Sequence, residues 1–277
     1  MTRIALIDGK KQSQISISNR NFQYGDGLFE TCIVKDNHIL FWEKHFLRLD
    51  TGCRKLKIKK LEESIWLQDI KKALSLASKK NCVLKLVLSR GNTERGYSYP
   101  EDILPVRVVI ISELKNTQGR ESYSLEYAQS GYHSNPNLAG IKHCNRIEQI
   151  LARSSLKADE AIMLDESQNI ISVTQGNIYF IFGKSVVTPK LDRCGVIGSR
   201  RSLILDLAES LKLNVEQTNI SINEAKKADE VFISNSIIGI QSVSSIEDYQ
   251  FPKSAITEQI KKAFESLTQD IKSWTCI

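Results

Sequence analysis

The stretch NRNFQYGDGLFETCIVKDNHILFWEKHFLRL, residues 19–49, carries the first decisive pattern. Within it FETCIVK (29–35) and HILFW (38–42) are apolar runs on either side of Asp36-Asn37, so they read as a β-hairpin. From Glu43 onward Phe46, Leu49, Cys53 and Leu56 recur at helical spacing, and a second helix is predicted from Glu62 to Lys80 on Ile65, Ile70, Leu74 and Ala77. Upstream, RIALID (3–8) reads as a strand closed by Gly9. Downstream, VLKLVLS (83–89) and LPVRVVIIS (104–112) read as two more strands. The polar run LKNTQGR (114–120) then marks a linker, which predicts a smaller N-terminal domain over 1–117 and a larger C-terminal one over 118–277.

The second half opens with a strand near Ser124 to Gln129 and a helix on Ile147, Ile150 and Leu151. Four short strands follow: EAIMLD (160–165), NIISV (169–173), NIYFIF (177–182) and SVVTP (185–189). A helix is predicted from Ser199 to Lys212, a capping box at Ser221 to Glu224 starts another, and VFISN (231–235) reads as a buried strand. A last helix from Lys253 to Trp274 lines up Ile256, Ile260, Phe264, Leu267 and Ile271 on one face. Strands interspersed with helices, without regular βαβ alternation, define the fold class as α+β.

Composition narrows the function. A chain of 277 residues with 41% hydrophobic and 25% charged residues builds sizeable cores, which excludes disorder and coiled coil. The net charge of +6 is modest and scattered, so anionic small molecules fit better than nucleic acid. The six cysteines form no CxxC pair, which argues against a metal cluster or a disulfide framework. No run approaches the roughly 20 apolar residues of a membrane span, and the N-terminus lacks a signal-peptide core, so a cytoplasmic enzyme or binding protein is expected.

Common catalytic motifs are missing. Gly183-Lys184-Ser185 resembles the end of a phosphate loop, but Ile178 stands where that loop needs glycine. HExxH and GxSxG are absent, and the histidines at 38, 45, 133 and 143 lack ligand-like spacing, so no metal is expected.

Seven segments read in order carry a resemblance. They are NRNFQYGDGLFET (19–31) with EKHFLRL (43–49), LSRGNTERGYS (88–98), LAGIKHCNRIEQILAR (138–153), ADEAIMLDESQNIISVTQGNIYF (158–180), VVTPKLDRCGVIGSRR (186–201) and ADEVFISNS (228–236). Together they resemble the fold-type IV pyridoxal-phosphate enzymes: branched-chain aminotransferases, D-amino-acid aminotransferases and 4-amino-4-deoxychorismate lyases. The resemblance implies a two-domain, D-amino-acid-aminotransferase-like fold with pyridoxal 5′-phosphate between the domains, and a homodimer. GIKHCNRIEQ and SRGNTERGYS look most like the lyases, which convert 4-amino-4-deoxychorismate to p-aminobenzoate and pyruvate on the way to folate.

On this resemblance Lys142 matches the lysine that bonds to the cofactor's aldehyde and then shuttles protons. A lysine suits the task because desolvation or a nearby cation can lower its pKa enough to free the amine. Arg48 matches a phosphate-binding arginine, whose planar fork suits phosphate oxygens. Ile197, Gly198 and Ser199 are expected to offer backbone N–H groups at a helix start to the phosphate. Ser234 and Asn235 would form the opposite side of that cup, and the motif leaves open which of them faces it. Arg95 and Tyr97, with Tyr24, match positions that hold substrate carboxylates, which suits a dicarboxylate. Thr31 matches a threonine usual in the lyases and is a candidate proton donor or orienter. Taken without the motifs, Lys142 reads as a solvated charge, Arg48 as an exposed helix arginine and Thr31 as an ordinary strand threonine.

One position departs from the pattern. Relatives carry a glutamate five residues before the Asn177 position, where it pairs with the cofactor's pyridine nitrogen; here Ser172 stands there. A neutral hydroxyl implies a poorer electron sink, which weighs against transamination more than against an elimination that forms an aromatic ring. The same departure keeps open a degenerate paralogue without catalysis beside the lyase and aminotransferase readings.

Overall fold

The computed structural model describes residues 3–77, 81–115, 121–252 and 254–277. Its first elements are β1 (Ile4–Ile7), β2 (Lys10–Lys11), α1 (Arg20–Tyr24), β3 (Gly27–Lys35), β4 (His38–Leu40), α2 (Trp42–Leu56), α3 (Glu63–Ser75), β5 (Cys82–Ser89) and β6 (Val106–Glu113). Then come β7 (Tyr123–Tyr127), α4 (Ile147–Ser154), β8 (Glu160–Leu164), β9 (Ile170–Val173), β10 (Asn177–Phe182) and β11 (Ser185–Pro189). The chain continues with α5 (Arg201–Ser210), β12 (Asn214–Thr218), α6 (Ile222–Ala225), β13 (Glu230–Asn235), β14 (Gly239–Ile246), β15 (Tyr249–Gln250), α7 (Ala255–Gln269) and β16 (Trp274–Cys276).

The chain divides into two compact units. The first comprises Met1–Asn116, Ile141–Asn145 and Ile271–Ile277; the second comprises Thr117–Gly140 and Arg146–Asp270. Among the described residues the first unit holds a seven-stranded sheet in the order β16-β4-β3-β5-β6-β1-β2. The second holds a nine-stranded mixed sheet, β12-β11-β10-β13-β14-β7-β8-β9 with β15 beside β14. Leu125, Ile162, Phe180, Val231 and Ile233 belong to a buried apolar cluster in the second unit.

In the first unit the hairpin turns on Asp36 and Asn37 with φ of 48° and 62°, the left-handed pair that a tight two-residue turn requires. Its strands register Val34 opposite Ile39. The strand expected through Trp42 stops earlier, because Phe41 turns left-handed at φ 52° and α2 begins at the next residue. Trp42 is then nearly fully buried, its indole N–H donating to Glu63 Oε1 at 2.6 Å.

The structure departs from the expected domain bounds at Lys142 and from the expected terminal helix at its far end. Bounds of 1–117 and 118–277 put Lys142 on the second domain, yet Ile141–Asn145 groups with the first unit. The reason is an open strand edge: β4 pairs only with the far end of β3, at Val34 and Lys35. The near end instead receives Lys142–Cys144, with Phe29 N–H donating to the Lys142 carbonyl at 3.0 Å and Cys144 N–H to the Gly27 carbonyl at 2.9 Å. The expected terminal helix is also shorter: α7 stops at Gln269, and Trp274–Cys276 pairs with β4 as a strand. Residues 116–120 of the expected linker lie outside the described residues, as does the far end of the predicted 62–80 helix.

The helix α4 forms where predicted but presents its apolar side to the surface. Ile147, Ile150 and Leu151 are exposed, whereas Gln149 and Ala152 are buried. Its inner side is anchored by Arg153, whose Nη1 donates to Glu160 Oε1 at 2.8 Å and to Thr174 Oγ1 at 3.0 Å. Among the described residues, no helix is long and apolar enough to cross a membrane, and no cluster of His, Cys, Asp and Glu is able to hold a metal ion.

Candidate active site

Strand alternation gives β3 two faces. Phe29 and Thr31 lie on the half-buried one, Leu28, Glu30 and Cys32 on the buried one. On the half-buried face Lys142 Nζ sits 4.2 Å from the centroid of the Phe29 ring, and Lys85 Nζ sits 5.2 Å from the same centroid. Thr31 is directly opposite Lys85 in the β3–β5 register. The structure therefore places Lys142 on the Phe29 ring with Thr31 on the same strand face, and adds a cation, Lys85, outside the quoted motifs. Its signal in the sequence is a lysine inside the apolar run VLKLVLS.

On the buried face Arg48 is held by Glu30. Arg48 Nε donates to Oε1 at 2.7 Å and Nη2 to Oε2 at 2.6 Å, and the arginine side chain is only 11% exposed. His45 Nδ1 lies 2.6 Å from Glu30 Oε2. Burial raises the Glu30 pKa, but the Arg48 cation and the hydrogen bonds from Arg48 and His45 outweigh it and hold the carboxyl at about 2. Arg48 is thus oriented by an ionised carboxylate that reading by motif did not single out.

The segment 93–98 carries the expected carboxylate holders. Arg95 is exposed and Tyr97 is 84% exposed. Tyr24, half-buried at the end of α1, accepts a hydrogen bond on its hydroxyl from Gly96 N–H at 3.2 Å, and its ring lies 5.5 Å from that of Tyr97. Its hydroxyl therefore supports this segment. The short helix α1 was not legible in advance; Asn19 caps it, with Oδ1 accepting from the N–H of Asn21 and Phe22.

In the second unit Asn177 organises the approach to α5. Its Nδ2 donates to the Val196 carbonyl at 3.0 Å and its Oδ1 accepts from Gly198 N–H at 2.9 Å. A Cβ on residue 198 would collide with Asn177 Oδ1, which explains the glycine. Ile197 N–H donates to the Gly140 carbonyl at 3.0 Å. Both N–H groups expected at the phosphate therefore donate within the unit here. The helix itself begins at Arg201, leaving Ser199, which is 7% exposed, two residues before its first turn.

Asn177 faces Ser234 across β10 and β13. Ser234 Oγ lies 3.1 Å from the hydroxyl of Tyr179, which burial pushes up to about 12 and whose ring stacks on Phe232 at 4.4 Å. Asn235 Oδ1 accepts from the N–H of Ile237 and Ile238 at 2.8 and 2.9 Å, so its carbonyl closes a turn. Ser172 is 3% exposed; its Oγ donates to the Val173 carbonyl at 2.9 Å and lies 3.1 Å from the Tyr132 hydroxyl. With the serine proton given to Val173, Tyr132 is the donor in the second bond. Burial raises the Tyr132 pKa, so this buried pair is neutral.

Each unit, by itself, has donors that fit part of pyridoxal phosphate. The first offers a half-buried amine for an aldehyde and a preoriented guanidinium. The second offers the Ser199 and Ser234 hydroxyls and the start of a ten-residue helix, whose dipole favours a dianion.

A sequence model of the Amino-transferase class IV family matches residues 27–246. The chain belongs to this family, enzymes with the fold-type IV architecture. It is 30% identical over 268 residues to an aminodeoxychorismate lyase of Vibrio harveyi, covering 92% of this chain and 97% of that protein. The crystal structure of the 4-amino-4-deoxychorismate lyase of Pseudomonas aeruginosa superposes with a TM-score of 0.90 at 30% identity, covering 95% of this chain and 98% of that one. A D-alanine aminotransferase of Listeria monocytogenes is 22% identical over 270 residues, covering 94% of this chain and 93% of that protein.

Proposed function

We propose that this protein is a pyridoxal-phosphate-dependent lyase that converts 4-amino-4-deoxychorismate to p-aminobenzoate and pyruvate. The observation that carries the reading is the grouping of Lys142, Phe29 and Thr31 on one face of β3, in a chain 30% identical to a lyase along nearly its whole length. When bound, pyridoxal phosphate supplies an aldehyde carbon and a conjugated ring that accepts an electron pair. Lys142 and Arg48 of the first unit would hold its aldehyde and its phosphate, and the Ser199 and Ser234 hydroxyls are the phosphate donors that the second unit offers. With substrate bound, the Lys142 amine would take the proton from the amine-bearing carbon. The C–O bond to the enolpyruvyl group would break as the six-membered ring becomes aromatic, Lys142 would return its proton to the departing enolpyruvate, which tautomerises to pyruvate, and its amine would then free p-aminobenzoate. Thr31 orients that transfer from the same strand face, and Arg95 and Tyr97 hold the substrate carboxylates.

The neutral Tyr132–Ser172 pair supports elimination over transamination, because aromatisation supplies a driving force that transamination lacks. Likeness to a D-alanine aminotransferase supports a second reading, amino transfer on the same fold. The test is release of p-aminobenzoate and pyruvate from aminodeoxychorismate generated in place by its synthase, beside amino transfer from D-alanine and branched-chain amino acids. Product release with no amino transfer supports the lyase; the reverse outcome replaces it.

A homodimer in the cytoplasm completes the proposal. Exposed Phe22, Leu104 and Ile147 are apolar surface for a second copy to cover, and a cysteine spacing without the pattern of a disulfide framework suits a reducing compartment. Light scattering of the purified protein tests the dimer.

A further inference from the structure

We propose that Arg20 is a positioning residue: its buried guanidinium fixes the backbone of residues 93–98 and so sets how tightly Arg95 and Tyr97 hold a substrate carboxylate. The inference rests on the lyase reading above. Arg20 is 4% exposed, yet its fork serves a surface segment. Nη1 donates to Thr93 Oγ1 at 3.1 Å and to the carbonyls of Gly96 and Ser98 at 3.1 and 3.3 Å; Nη2 donates to the Tyr97 carbonyl at 2.9 Å. Three successive carbonyls thus converge on one cation. Nε is occupied by Asp26 Oδ2 at 2.8 Å.

The fork is itself immobilised. Asp26 also pairs with Arg90 at 2.7 Å, and Arg90 donates onward to the Leu56 and Lys57 carbonyls at the end of α2. Burial raises the Asp26 pKa, but Arg90 and Arg20 outweigh it and hold the carboxyl below its usual range. The Arg20 guanidinium also lies over the rings of Tyr24 and Tyr99, at 5.2 and 5.4 Å from their centroids. Gly96 has φ 113°, a conformation that side chains resist.

Arg95 and Tyr97 are exposed, so the buried contacts that hold this conformation are those to the Arg20 fork and the Tyr24 hydroxyl. Without Arg20 they would have to be ordered by the substrate, and that cost appears in binding. Lys142 and Thr31 belong to the β3 platform, so the chemical step is spared. A lysine at residue 20 keeps the charge beside Asp26 but lacks the rigid fork that reaches three carbonyls.

Arg20→Lys and the milder Thr93→Val test the proposal on the holoenzyme. Trypsin cleavage after Arg95 is expected to quicken about tenfold in Arg20→Lys and about threefold in Thr93→Val, with the cofactor absorption unchanged. KM for aminodeoxychorismate is expected to rise by about the same factors while kcat stays within about twofold. Unchanged cleavage and KM, or a kcat that falls as far as KM rises, would overturn the proposal. Should Arg20→Lys not fold, Thr93→Val decides by the same measurements. A wild-type protein that releases no p-aminobenzoate removes the function reading, and the cleavage rates then judge Arg20 separately.

Discussion

Arg48 and Glu30 are joined by two parallel hydrogen bonds, Nε to Oε1 at 2.7 Å and Nη2 to Oε2 at 2.6 Å. The cation assigned to a phosphate is therefore preoriented by a carboxylate from the next layer inward. Glu30→Gln leaves a nearly buried guanidinium without its counter-charge, a loss of about 3 kcal/mol in unfolding free energy. Urea denaturation measures it, and cofactor affinity measured by absorbance titration is expected to weaken alongside.

The same pair governs acid stability. A carboxyl whose folded pKa lies below its unfolded one adds stability above the unfolded value and loses it as pH falls through the folded value. For Glu30 these values are 4.5 and about 2, so a contribution on the order of 3 kcal/mol disappears between them. Between pH 4.5 and 2 the wild type should lose stability more steeply than Glu30→Gln. Parallel pH profiles would contradict this.

Lys142→Ala should abolish the cofactor's characteristic absorption and lower p-aminobenzoate release by at least about a thousandfold. Spectra of both proteins after incubation with pyridoxal phosphate provide the check. A colourless wild type removes the lyase and aminotransferase readings together.

Gly198→Ala drives a methyl group into Asn177 Oδ1 and strains the approach to α5. A loss of about 1–3 kcal/mol is expected, with weaker cofactor binding. Asn177→Ala, which strands the Gly198 N–H and the Val196 carbonyl, should cost a similar amount. Thermal melts of the two variants give the comparison.

Ser172→Glu introduces the carboxylate that the resemblance to fold-type IV enzymes implies at this position. Amino transfer from D-alanine is expected to rise about tenfold while p-aminobenzoate release stays within about threefold. A fall in p-aminobenzoate release without a gain in transfer would remove the link between Ser172 and an aromatic product.

Much of this protein was legible along the chain. The hairpin around Asp36-Asn37, the helix on Phe46, Leu49 and Cys53, and the capping box at Ser221 all follow local rules of turn chemistry and spacing. The helix at Ile147 also formed where its pattern lies, but with those apolar residues outward, because periodicity reports a helix and not the direction it faces.

Sequence alone determined the α+β class, the family motifs and the residue types available for chemistry, since these depend on local spacing and residue identity. Tertiary structure decided that Lys142 belongs to the first unit, because an open β3 edge takes up its backbone. It also decided that Ile197 and Gly198 spend their N–H groups on Gly140 and Asn177, and that Arg20 gathers the carbonyls of residues 96–98. Those partners lie far apart in the chain, and hydrogen bonds between distant segments exist only once the fold has brought them together.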